Sequence, residues 1–103
     1  MKEELLKEIR GFTDRYGILK QMPVKQRKRV IALKWLAERI PPEGCYSERE
    51  FNALLNTMHS FGDPATIRRE MYDLYLIERD ADGSNYRVAE DGPSIEELLQ
   101  KLG

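Results

Sequence analysis

The side chains in this sequence that could act on another molecule are mostly arginines. Arg68 and Arg69 stand side by side, and a guanidinium fork fits both the edge of a guanine and the oxygens of a phosphate. Thr66 and Tyr72 border them on the same outward side of a helical stretch, and Arg79 and Arg87 follow further along. Lys25, Arg27 and Lys28 open another helical segment. Together these residues make a candidate surface for double-stranded DNA. Arg68 and Arg69 would meet base edges or phosphate, with Thr66 and Tyr72 flanking them and Arg79 and Arg87 touching the backbone. Lys25, Arg27 and Lys28 would add phosphate contacts if the start of their helix faces the duplex. Each phosphate neutralised adds to the salt dependence of binding.

A second reading competes with that one. Glu70, Asp73, Glu78, Asp80 and Asp82 crowd the same stretch, and DNA-reading domains are usually more basic than this. Arg68 and Arg69 can also pair with carboxylates one helical turn away, a contact worth a few tenths of a kcal/mol. The alternative is a protein–protein interaction or dimerisation module of a regulator, without direct DNA contact. Its terminal helices and a patch around Trp35 would form a homodimer or dock a regulator. Leu98, Leu99 and Leu102 suit such an interface, and suit equally a fold-back onto the same domain.

Catalysis finds no constellation. His59 has no second histidine or cysteine near it in sequence, so a solvated or cap-interacting ring is expected, not a metal ligand. Cys45 precedes Tyr46 in a strand-like stretch with no base at hand, which points to a buried structural thiol. There is no glycine-rich phosphate loop and no Gly-x-Ser-x-Gly elbow. No catalytic residue, cofactor, metal site or small-molecule ligand is expected.

The whole chain is 103 residues and 12.1 kDa, 41% hydrophobic and 34% charged, a balance that suits one globular domain and excludes disordered or collagen-like classes. No apolar run approaches the roughly 20 residues of a membrane span, and Met-Lys-Glu-Glu-Leu-Leu lacks a signal-peptide core. A single cysteine leaves no internal disulfide, and a cytoplasmic location is expected. The net charge is −1, but its layout is uneven. Between residues 20 and 39 every charged side chain except Glu38 is basic, whereas between 47 and 92 acidic side chains outnumber basic ones two to one.

These side chains must be held by helices and a hairpin. Leu5, Leu6 and Ile9 mark a helix over 2–10, with Gly11 as its stop. Pro23 suits the first turn of a helix over 23–40. There Val30, Leu33, Leu36, Ala37 and Ile40 share one face, and Ile31 and Trp35 form a second patch beneath the N-terminal segment. Ser47 and Glu50 form a capping box, and Tyr46 and Phe51 stand at its staple positions. The helix that follows over 47–58 turns Phe51, Leu54, Leu55 and Met58 one way. Asp63-Pro64 starts the next helix, over 64–75, with Ile67, Met71 and Leu74 inward. Residues 76–80 and 85–88 read as strands around an Asp82-Gly83 turn. Ser94 and Glu97 cap a last helix, over 94–102.

Helix, short strand, helix, tight connection, helix and hairpin is the order of a winged helix, with 47–58 and 64–75 as the helix-turn-helix pair. The expected fold class is α+β, mainly α: a winged helix-turn-helix with a small antiparallel sheet and extra terminal helices. It divides into an N-terminal helix and lead-in (1–22), the winged helix (23–88) and a C-terminal helix (89–103). The runs Asp14–Pro23 with Lys25–Arg29, Tyr46–Asn52, and Asp63–Glu70 with Glu78–Tyr86 carry a resemblance as well. In this order they resemble the bacterial family catalogued as domain of unknown function 2087, over about residues 12–88. The resemblance implies a fold similar to winged-helix regulators, and a link to transcription regulation, since some members carry the domain behind a separate DNA-binding helix-turn-helix. One position departs from the family pattern. Tyr75 stands where a glycine is expected before the first wing strand, so the helix should end differently here or use Tyr75 as a core aromatic.

Overall fold

The computed structural model describes residues 1–102. The described residues form five α-helices, α1 (Glu3–Ile9), α2 (Gln26–Glu38), α3 (Glu48–Leu55), α4 (Pro64–Asp73) and α5 (Ile95–Gln100), and a hairpin of β1 (Ile77–Arg79) and β2 (Tyr86–Val88). The two strands are antiparallel, with Glu78 opposite Arg87. The mainly helical α+β class and the winged-helix order of elements are those expected.

Helix α2 is the axis of the core. Val30, Leu33, Leu36 and Ala37 are buried on one side of it, and Ile31 and Ala32 on another. A helix apolar on both sides must be covered on both. Helix α1 packs on one side, and α4 and α5 on the other. Trp35 lies half-buried beside Leu6 and Ile9, under the N-terminal segment as expected. At the other end Leu98 is buried, and Leu99 and Leu102 pack against the same core. The chain's own fold therefore takes up the apolar faces of both terminal helices.

Several boundaries differ from the sequence expectation. Helix α1 passes at Arg10 into a 3₁₀ turn that includes Gly11. Helix α2 starts at Gln26, not Pro23, because Lys25 is still extended at its N-cap. Pro23 is buried instead, and its carbonyl accepts from Arg29 Nη1 at 3.2 Å. Gly44–Tyr46 contributes only a single bridge, Tyr46 to Tyr86. Cys45 is exposed, not buried, because the ring that enters the core at this edge belongs to its neighbour Tyr46.

Of the two settings expected for His59, the cap-interacting one holds and the solvated one does not: the residue is 4% exposed. It accepts the amide N–H of Asp63 at Nε2 (2.9 Å), and its Nδ1 lies 2.7 Å from the Leu55 carbonyl. With Nε2 accepting, Nδ1 is the nitrogen placed to donate to the Leu55 carbonyl. The imidazole thus ties the end of α3 to the N-cap of α4.

The helix starts follow local chemistry closely. Ser47 with Glu50 and Ser94 with Glu97 form reciprocal capping boxes, and Asp63 accepts from the Thr66 amide with Pro64 at the first helical position. The Ser47 amide holds the Glu50 carboxyl below its ordinary 4.5, the Ser94 amide does the same for Glu97, and hydrogen bonding from Thr66 holds Asp63 below 3.8. A depressed folded-state value means that the unfolded chain binds protons first on acidification. The contribution of these caps is therefore complete above about pH 4.5 and is lost as the pH falls through the depressed values. Thermal midpoints should decline on that acid limb, and the decline should be shallower in the Glu50→Gln/Glu97→Gln double variant.

The end of α4 breaks the usual rule for residue choice. The amide of Leu76 bonds the Met71 carbonyl at 2.9 Å and that of Tyr75 bonds the Tyr72 carbonyl at 3.0 Å, the paired bonds of a Schellman motif. Its left-handed position is Tyr75, with φ of 62°. The helix thus ends as it would with glycine, and Tyr75 is no core aromatic, being 72% exposed. A side chain in this region strains the backbone, and exposure leaves little packing to offset the strain. Tyr75→Gly should raise stability by roughly 0.5–1 kcal/mol, measured as a higher urea midpoint.

Candidate functional site

The geometry of the outward side of α4 is set from beneath it. Phe51 is fully buried. Its ring lies 5.5 Å from Tyr86 in a stacked pair and 5.8 Å from Tyr46. Tyr46 and Tyr86 also exchange both backbone hydrogen bonds, at 2.9 and 2.6 Å. The hairpin is thereby fastened to the start of α3. The Arg68 guanidinium then lies 5.4 Å over the Tyr86 ring.

Arg68, Arg69, Tyr72 and Arg79, four of the residues picked out from sequence, line one cleft of about 330 Å³ between α4 and the hairpin. Glu48 of α3, Asp73 and Tyr86 complete its wall. A second hollow of about 450 Å³ continues past Tyr72 and Arg79 to Tyr75, Glu78 and Arg87. Thr66 lies half-buried in the first turn of α4, outside both hollows. Lys25, Arg27 and Lys28 are not brought to the cleft. Arg27 makes a bidentate pair with Glu8 of α1 at 2.8 Å for both bonds. Lys28 sits 6.0 Å over the Phe12 ring, and Lys25 is exposed.

The arginines of the cleft differ in their state. Arg68 is committed inside the molecule: it donates to Asn52 Oδ1 and pairs with Glu48 at 3.2 Å, with its side chain 17% exposed. Arg87 pairs with Asp80 at 3.0 Å and Glu78 at 3.5 Å. Asp80 also accepts from Asn85, and these two partners hold its carboxyl below the ordinary range, Asn85 first. Arg79 lies 4.9 Å over the Tyr72 ring, a cation–π contact. Among the described residues neither Arg69 nor Arg79 has a carboxylate within ion-pair distance.

A family model matches residues 18–88. The chain belongs to the domain of unknown function 2087 family, described as an uncharacterized protein conserved in bacteria. No curated protein and no solved structure matches the chain. The matched span of this family member holds α2, α3, α4 and the hairpin, and with them the whole lining of the cleft. No helix among the described residues is long and apolar enough to cross a membrane.

Sequence reasoning missed the residues that hold Arg68. Glu48 and Asn52 lie 20 and 16 positions away on another helix, and Tyr86 on a strand. Only the inward phase of Tyr86 in its strand, shared with buried partners, could have flagged one of them. Because Arg68 serves the fold, Arg68→Ala should cost roughly 1–3 kcal/mol. Arg69→Ala should stay within about 0.5 kcal/mol. Urea denaturation of the two variants checks the contrast.

Proposed function

We propose that this family member is a protein-interaction module that receives a partner protein in the cleft between α4 and the hairpin. The observation that supports this reading is the balance of charge there. Arg68 faces Glu48, Arg87 faces Asp80 and Glu78, and Asp73 lines both hollows beside the two remaining guanidiniums. A duplex carries a charge about every 1.7 Å of its axis and cannot avoid such carboxylates. A protein surface can place complementary groups one by one. Tyrosine and arginine are also the side chains enriched where interfaces carry their energy, and this face presents two exposed tyrosines, Tyr72 and Tyr75.

Direct binding of double-stranded DNA, as by a transcription regulator, is the second reading. Arg69 favours it: it is exposed and unpaired on the outward side of the second helix of the pair, near Thr66 and Arg79. The two readings separate in one pair of measurements. A photo-crosslinking phenylalanine analogue at position 72 or 75, in living cells, should give a discrete protein adduct that the same probe at position 7 on α1 does not. Titration of a mixed duplex across salt should give no log–log slope. A slope of several units that Arg69→Ala and Arg79→Ala abolish, with no protein adduct, would overturn the proposal in favour of DNA.

A further inference from the structure

Resting on the reading above, we infer that the occupant of the cleft is an extended segment of another protein that bears one carboxylate beside an apolar side chain. The charge argument comes first. Of the four arginines on this face, Arg68 and Arg87 are neutralised within the chain, whereas Arg69 and Arg79 line the same cleft with no carboxylate of their own. The π-face of Tyr72 steadies Arg79 in that position. Two guanidiniums around one hollow fit a single side-chain carboxylate, which accepts charge-assisted hydrogen bonds from planar forks. Glu48 and Asp73 in the wall of the same cleft and Glu78 in the adjoining hollow limit the ligand to one such carboxylate and require its neighbouring residues to be neutral or basic, a condition a peptide meets and a polyphosphate does not.

The aromatic side of the site is the second observation. Tyr72 and Tyr75 line the larger hollow with Ile77, beside the charged Asp73, Glu78, Arg79 and Arg87. Tyr75 is held in the left-handed region and mostly exposed. Within the fold its ring secures nothing that offsets the strain. Strained positions of this kind gather at ligand-binding surfaces.

The shape of the ligand follows from the sheet. β2 lies between β1 and the Tyr46 bridge, and among the described residues no strand pairs with the far side of β1. The amide of Ala89 bonds the Leu76 carbonyl and that of Asp80 bonds the Asn85 carbonyl. By alternation, Arg79 therefore turns its backbone N–H and C=O away from β2. An extended segment laid there can add main-chain bonds to the side-chain contacts. A second copy of the chain fits poorly. Two β1 strands paired about their centres would set Glu78 against Glu78, and like charges directly opposite destabilise a pair.

The test uses the full chain and a displayed library of 12-residue random peptides, with selected peptides resynthesised for fluorescence anisotropy. Selected peptides should share an Asp or Glu close to an aromatic or aliphatic residue. Changing that acid to its amide should weaken binding about tenfold or more, and Arg79→Ala or Arg69→Ala on the protein should do likewise. Tyr75→Gly should weaken binding while raising the thermal midpoint, a combination that damage to the fold cannot produce. Lys7→Ala on α1 should change nothing. Peptides without an acid that still depend on Tyr72 and Tyr75 would overturn this inference and leave the interaction surface standing. Peptides indifferent to all four side chains would overturn it, and absence of the adduct at positions 72 and 75 would separately remove the surface itself. Concentration-dependent dimerisation in sedimentation, abolished by Tyr75→Gly, would replace the peptide by a second copy.

Discussion

The ring of Phe51 between Tyr46 and Tyr86 is the contact on which the outward architecture depends. Strands of three residues on an isolated hairpin are not stable in water on their own. Here the hairpin gains a buried aromatic from α3 and a bridging pair of backbone hydrogen bonds from Tyr46. With Tyr86 fixed, Arg68 has a flat surface to cover, and Glu48 and Asn52 hold its guanidinium from the neighbouring helix. The cleft is the space left between two elements clamped at one end by that stack. Its form is a consequence of core packing, not of the exposed residues that line it.

Part of the uneven charge of the chain is used internally. Arg27 is tied to Glu8, and Arg29 to Glu70 of α4 through two short bonds of 2.5 and 2.6 Å. Arg39 donates to the Gly17 carbonyl and covers Trp35. The three arginines of this mostly basic segment thus act as braces to α1, the lead-in and α4. The Arg29 and Glu70 side chains are 31% and 24% exposed, so their pairing helps to set the placement of α4 on α2, and losing either partner would leave a poorly solvated charge.

Tyr75 stands at the meeting point of fold and surface. The helix before it ends with both bonds of a Schellman motif, an arrangement that glycine enters without strain. A tyrosine there gives up stability in exchange for an exposed phenol at the rim of the hollow. Residues in left-handed backbone that carry large side chains mark places where local preference and local role disagree. Here the disagreement lies at the hollow that the unpaired Arg79 also lines.

What the sequence determined alone were features settled within a few residues of themselves. Serine three positions before glutamate, aspartate before proline, and aspartate-glycine between strand-like runs fixed the starts of α3, α4 and α5 and the turn of the hairpin, because caps and turns close through bonds to their own backbone. The apolar periodicity of α2 likewise foretold its buried faces. Tertiary structure decided the rest. Arg68 and Arg69 are adjacent and chemically identical, yet one is sealed into the fold and the other is free, because successive helical residues point about 100° apart and only one direction meets Glu48 and Tyr86. His59 became a buried link, Pro23 a core residue and Cys45 an exposed thiol for a related reason: which of them is covered is settled only when distant elements pack together, and local spacing carries no information about that.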